Sequence, residues 1–166
     1  MNDLAGDPVP GLDPFAVRGR RAIMWGTLAV GTLDALDAIV FFGLRGATPL
    51  RIFQSIASGL LGRAAYEGGL LTAFLGAVLH YLIAFLIVAT AAIAARWQPR
   101  LADHPWAWGP VYGVIVYAVM NMIVLPVSSA ALGHPSPIVV VNGLLIHAFG
   151  VGIPSALTAR AVQRAR

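Results

Sequence analysis

The chain has no cysteine. Disulfides, thiolate metal sites and cysteine nucleophiles are therefore excluded. It has no lysine either; all eleven basic residues are arginine. Charged residues of both signs make up only 11% of its 166 residues, against about 25% in a soluble domain. What fills the space is apolar, 58% of the chain, together with 18 glycines. Glycine is more frequent in membrane-spanning helices than in soluble ones. These proportions describe an integral membrane protein, and the length suits one bundle without a separate soluble domain. A pI near 10.3 raises the question of nucleic acid. The arginines cluster at the ends of the apolar runs, where topology requires them, so no nucleic-acid partner is expected.

Residues 1–20 are polar and rich in Gly, Pro and Asp, the composition of a disordered tail. Arg18, Arg20 and Arg21 then precede an apolar run over 22–44. That run is too long for the core of a cleaved signal peptide and long enough to span a bilayer. Further spans are expected over 68–95, 108–132 and 138–159. Pro126 should kink the third. Trp97, Trp106 and Trp108 flank the loop after the second, as an interfacial aromatic belt would. Residues 49–62 are shorter and mixed. Thr48-Pro49 is a helix-start signal, and Arg51, Gln54, Ser55 and Ser58 alternate with Ile52, Phe53, Ile56 and Leu60. An amphipathic helix lying in the membrane interface fits this pattern, with Arg51, Arg63 and Glu67 on a solvated face or at lipid headgroups. The expected fold is all-α: a four-helix transmembrane bundle with an additional interfacial helix, in contact with the lipid bilayer. Placing both termini in the cytoplasm puts eight arginines inside and three outside, the favoured sense for a bacterial inner membrane.

Five polar residues interrupt the apolar runs: Asp34 and Asp37 in the first, His80 in the second, Asn121 in the third and His147 in the fourth. Ionisable groups at membrane depth are costly and mark functional sites by default. At 1.5 Å rise per residue, all five lie about 18–22 Å from the predicted cytoplasmic helix ends. Their helix faces carry small residues, such as Gly31 and Ala38 beside the aspartates, Gly76 and Ala84 beside His80, and Gly143 and Gly150 beside His147. Small residues mark helix–helix contacts in bilayers, so the polar groups should face the interior.

Several readings are open for this constellation. It can be a hydrogen-bonded cluster that fixes helix register, with two acids sharing a proton or pairing with a histidinium. It can be a proton or ion path. His80 and His147 can be axial haem ligands, or the two histidines with Asp34 and Asp37 can hold a divalent metal. Lipid or small-molecule chemistry at the interfacial segment is a further reading. No HExxH, phosphate loop or nucleophile elbow is present, so no catalytic residues are assigned. His104 and His134 precede prolines in loops and read as surface residues. Gly109 and Gly113 form a GxxxG spacing that reads as packing. Four short spans enclose little volume, so a homo-oligomer or a membrane-protein partner is plausible.

The order of landmarks from about residue 76 to 160 has a resemblance. His80 lies in a span followed by Arg96-Trp97-Gln98-Pro99; then come Trp108-Gly109, Tyr112-Gly113, Met120-Asn121, Leu125-Pro126 and Leu145-Ile146-His147. This resembles the YagU-like bacterial inner-membrane proteins. The resemblance implies an inner-membrane location, no established enzymatic activity, and His80 and His147 as matching positions. The segment Phe53-Gln54-Ser55-Ile56-Ala57-Ser58-Gly59-Leu60-Leu61-Gly62 is similar to one in a related group of bacterial membrane proteins.

Overall fold

A computed structural model describes residues 14–130, 133 and 135–165. Helix α1 (Pro14–Gly43) is followed by α2 (Pro49–Leu61) and a 3-10 turn (Gly62–Tyr66). Next come α3 (Gly69–Trp97), the one-turn α4 (Arg100–Asp103), α5 (Pro105–Val127) and α6 (Pro137–Arg164). No strand occurs among the described residues. Four helical stretches, Val17–Gly43, Gly69–Trp97, Pro105–Val127 and Pro137–Arg164, are long and apolar enough to cross a membrane. They alternate in direction. One end of the bundle therefore carries α4 and the terminal helix ends, and the other carries residues 44–48, 62–68, 128–130 and 135–136. We call these the termini end and the loop end.

The packing is inverted relative to a soluble bundle. Large apolar side chains point outward: Leu70, Leu71, Trp97, Met122 and Val127 are all more than three-quarters exposed. A water-facing girdle of that kind would aggregate; lipid is its natural neighbour. The inward stripe of α3 is Thr72, Ala73, Gly76, His80, Ala84, Val88, Ala91 and Ala95, spaced three and four apart on one face.

Glycine and alanine set how closely the helices approach. A Cβ on Gly113 would overlap the backbone oxygen of His147, and one on Gly152 would overlap the oxygen of Gly109. The Gly109/Gly113 pair thus serves the contact between α5 and α6 within one chain. At the termini end Ala91, Ala95, Leu101, Ala102, Ala156 and Ala159 form a fully closed cluster. Gln163 seals its rim by donating from Nε2 to the Ala95 oxygen at 2.7 Å.

Several expectations are modified. Residues 1–13 of the expected tail lie outside the described residues, as do Leu132 and His134. Residues 14–20 are helical, so Arg18 and Arg20 ride on α1. Trp97 and Trp106 face outward, but Trp108 packs against the alanine cluster.

Helix α2 adds packing detail to the expected short amphipathic helix. Its start is as read: Thr48 accepts from the Arg51 N–H at 3.3 Å, and Pro49 occupies the first turn. Its end is Gly62, at φ 60°, a conformation that favours glycine. Between these caps it presses against α3, and a Cβ on Gly76 would overlap the Phe53 oxygen. Gly76 is seven residues into α3, about 10 Å from its start, so α2 dips into the bundle. Polar Gln54 and Ser58 are buried while Leu60 and Leu61 are exposed. The helix is amphipathic as expected, and Gln54 has a partner inside, donating from Nε2 to the Gly69 oxygen at 3.0 Å.

Candidate functional site: a cavity at the loop end

Above the alanine cluster the helices diverge around a cavity of about 720 Å³. Val30, Ala84 and Val151 form its floor, joined in one buried cluster with Val88 and Val116. Ala47, Tyr66 and Pro135 line it at the loop end. All four spanning helices and α2 contribute to its wall. Asp34, Asp37, His80, Asn121 and His147 all line it.

Two of these side chains sit on irregular backbone. Asn121 lies in a π-helical turn (Met120–Val124) and His147 in another (Ile146–Gly152). Each turn stands just before a proline, Pro126 and Pro154 respectively. Proline has no N–H for the carbonyl four residues back. The chain absorbs the loss with a wider turn, as where the Leu125 N–H reaches back five residues to the Met120 oxygen. The expected disturbance at Pro126 therefore takes the form of a π-turn, the type of irregularity often found at functional sites.

The hydrogen bonds fix the protons of both imidazoles. His80 Nε2 lies 2.7 Å from the Gly31 oxygen. A carbonyl only accepts, so Nε2 carries the hydrogen. His80 Nδ1 is then the nitrogen that carries no hydrogen in the neutral ring, and it stands 4.0 Å from Asp34 Oδ2. That separation is an ion pair when Nδ1 is protonated, and is too long for a direct hydrogen bond. The ring is buried and held edge-on between Phe53 (centroids 6.4 Å) and Tyr81 (5.5 Å). His147 Nδ1 donates to the Gly143 oxygen at 2.9 Å. Tyr117 meets the His147 ring edge-on, with centroids 5.4 Å apart.

The two aspartates differ. Asp37 Oδ2 accepts from Asn142 Nδ2 at 2.7 Å, a bond that ties α1 to α6. Among the described residues Asp34 accepts no hydrogen bond, and its partner is His80 across the 4.0 Å gap. Asn121 donates back to the Tyr117 oxygen of its own helix at 2.9 Å.

Sequence reasoning missed Asn142, Tyr117 and the part played by Arg51. Asn142 is an amide in an apolar run, and burying it without a partner is costly; the logic that singled out Asn121 applied to it equally. Arg51 lines the cavity near its mouth. It donates to the Tyr66 oxygen at 3.4 Å and lies over the Tyr66 ring at 5.3 Å. Arg63 is exposed on the 3-10 turn and does not line the cavity.

No group of three or more His, Asp or Glu side chains among the described residues is arranged to hold a metal ion. Iron ligation through His80 Nε2 would require breaking its bond to Gly31.

Neither a protein-family model, nor a curated protein, nor a solved structure matches this chain.

Proposed function

We propose that this is a bacterial inner-membrane protein that moves protons or ions through its cavity, with Asp34 and His80 as the exchanging pair. The observation that carries the reading is the placement of that pair. A carboxylate and an imidazole whose outer nitrogen is pinned stand 4.0 Å apart in a cavity that reaches the loop end. The termini end is closed by alanine packing. Proton gain at His80 Nδ1 creates an ion pair with Asp34; proton loss leaves a carboxylate that needs another cation. Passage then requires the termini end to open, and the π-turns before Pro126 and Pro154 are the places where helices bend.

The arginine distribution orients the chain with both termini in the cytoplasm, so the cavity opens to the outer side. Kinship with the YagU-like proteins belongs to the same proposal and is supported by the landmarks around His80 and His147. One observation favours a structural role for part of the cluster: the Asp37–Asn142 bond joins two spans, as a register-fixing contact does.

The test is flux into proteoliposomes carrying an internal pH dye, under an imposed potential. Flux should fall to the level of empty liposomes in Asp34→Asn and in His80→Gln. Wild-type protein that conducts no better than empty liposomes, or variants that conduct as well as wild type, would overturn the reading.

A further inference from the structure

We propose that the solute of this cavity is a small organic cation, an ammonium group on an apolar body. The inference rests on the cavity being a solute site, as proposed above. Charge argues first. Asp34 and Asp37 both line the interior, while the guanidinium in the lining, Arg51, stands near the mouth and is engaged by Tyr66. Asp37 already has Asn142 as a donor. Asp34 has no donor among the described residues, so its lone pairs are open to an N–H of a ligand. A charge-assisted bond of that type is about twice as strong as a neutral one. An anion would meet two carboxylates instead.

The walls argue against a bare metal ion. Ile52, Ile56, Ile83, Met120, Leu125 and Ile146 supply hydrocarbon rather than oxygen ligands. Hard cations such as Ca²⁺ take about six to eight oxygens, and no metal-holding acid–histidine group exists among the described residues. Size argues for an organic body: about 720 Å³ falls within the range of pockets for drug-sized ligands, about 300–1,000 Å³. The Tyr117 ring adds an aromatic surface of the kind cations favour.

The cation also competes with a proton. With His80 Nδ1 protonated, Asp34 is already paired. An arriving ammonium takes over that carboxylate, the histidinium loses its partner, and the Nδ1 proton leaves to solvent. Cation enters and proton departs, so charge balances one for one. The titratable and charged groups facing this exchange are Asp34 and Asp37 from α1, Arg51 from α2 and Tyr66 from the turn after it, His80 from α3, Tyr117 from α5 and His147 from α6.

The experiment uses full-length protein in detergent and phenethylammonium chloride as probe, by calorimetry with a pH-indicator dye. Sodium chloride and 3-phenylpropionate are the controls. Phenethylammonium should bind with release of one proton, and its affinity should rise about tenfold per pH unit while His80 is protonated. The controls should not bind, and Asp34→Asn should lose both binding and proton release while keeping its helical circular dichroism. The pH dependence of wild type requires no variant and stands if Asp34→Asn misfolds. Absence of phenethylammonium binding, equal binding to a folded Asp34→Asn, or binding of sodium or 3-phenylpropionate in its place each overturns the inference. Proton flux without amine binding would defeat the ligand assignment alone. Amine binding without flux would defeat the translocation reading alone.

Discussion

The two ends of the bundle are built from the same four helices, and they do opposite things. At the termini end alanine faces alanine: Ala91, Ala95, Ala156 and Ala159 are each completely buried. At the loop end the same helices carry Asp34, His80, Asn121 and His147, and they stand apart around open space. Side-chain volume does not explain the difference, since alanine and glycine occur along the inward faces at both ends. The difference lies in what the backbone does. Below, α5 and α6 touch backbone to backbone at Gly109, Gly113 and Gly152. Above, the two helices part around the cavity, and α2 packs against α3 on another side of it. In a membrane no hydrophobic force draws helices together, so contact follows where small residues line up and a cavity forms where the backbone diverges.

The sharpest way to break this comparison is Gly113→Leu. Its side chain would enter the space held by the His147 carbonyl, and overpacking of backbone against backbone should exceed the usual 1–3 kcal/mol or so. Thermal unfolding in detergent, followed by circular dichroism, should show loss of the folded state; a melting curve like wild type would mean that α5 and α6 do not meet there. Next comes a matched pair. Ala156→Leu, in the closed cluster, should cost about 1–3 kcal/mol. Ala38→Leu adds the same atoms to the cavity wall and should stay within about 1 kcal/mol. Equal effects would erase the distinction between the two ends.

Smaller effects sharpen it. Asn142→Ala removes the donor to Asp37 and should cost about 0.6–1.7 kcal/mol, the range for interhelical polar contacts in membranes. No change in unfolding would show that this bond ties nothing. Thr48→Ala removes the N-cap of α2 and should cost about 0.5–1 kcal/mol. Its effect should appear as faster amide exchange in α2 alone, since α2 closes the cavity from one side. Uniform exchange across the bundle would instead make α2 part of the common core.

The spans were legible because hydrocarbon length is a physical requirement that no tertiary contact overrides. Depth counting read Asp34, Asp37, His80, Asn121 and His147 at one level, and the structure places all five in the lining of one cavity. What escaped depended on partners distant in sequence. Gln54 and Ser58 read only as polar positions of an amphipathic helix, because nothing local announces that Gly69 will offer its carbonyl to Gln54. Asn142 gained its meaning from Asp37, 105 residues away. The unlike fates of the two aspartates were illegible for the same reason: one helical face holds both, and only the opposing helices distinguish them. The π-turns are not in the hydropathy pattern at all; only Pro126 and Pro154 hinted at them.

The bond from His80 Nε2 to the Gly31 oxygen has one last consequence. An imidazole that works as a wire takes a proton on one nitrogen and hands it on from the other. Here the far nitrogen is bolted to the frame, so whatever arrives at Nδ1 must leave by Nδ1. The ring is a turnstile rather than a conductor. In the translocation proposed above, charge would cross only when the helices carrying it change their arrangement.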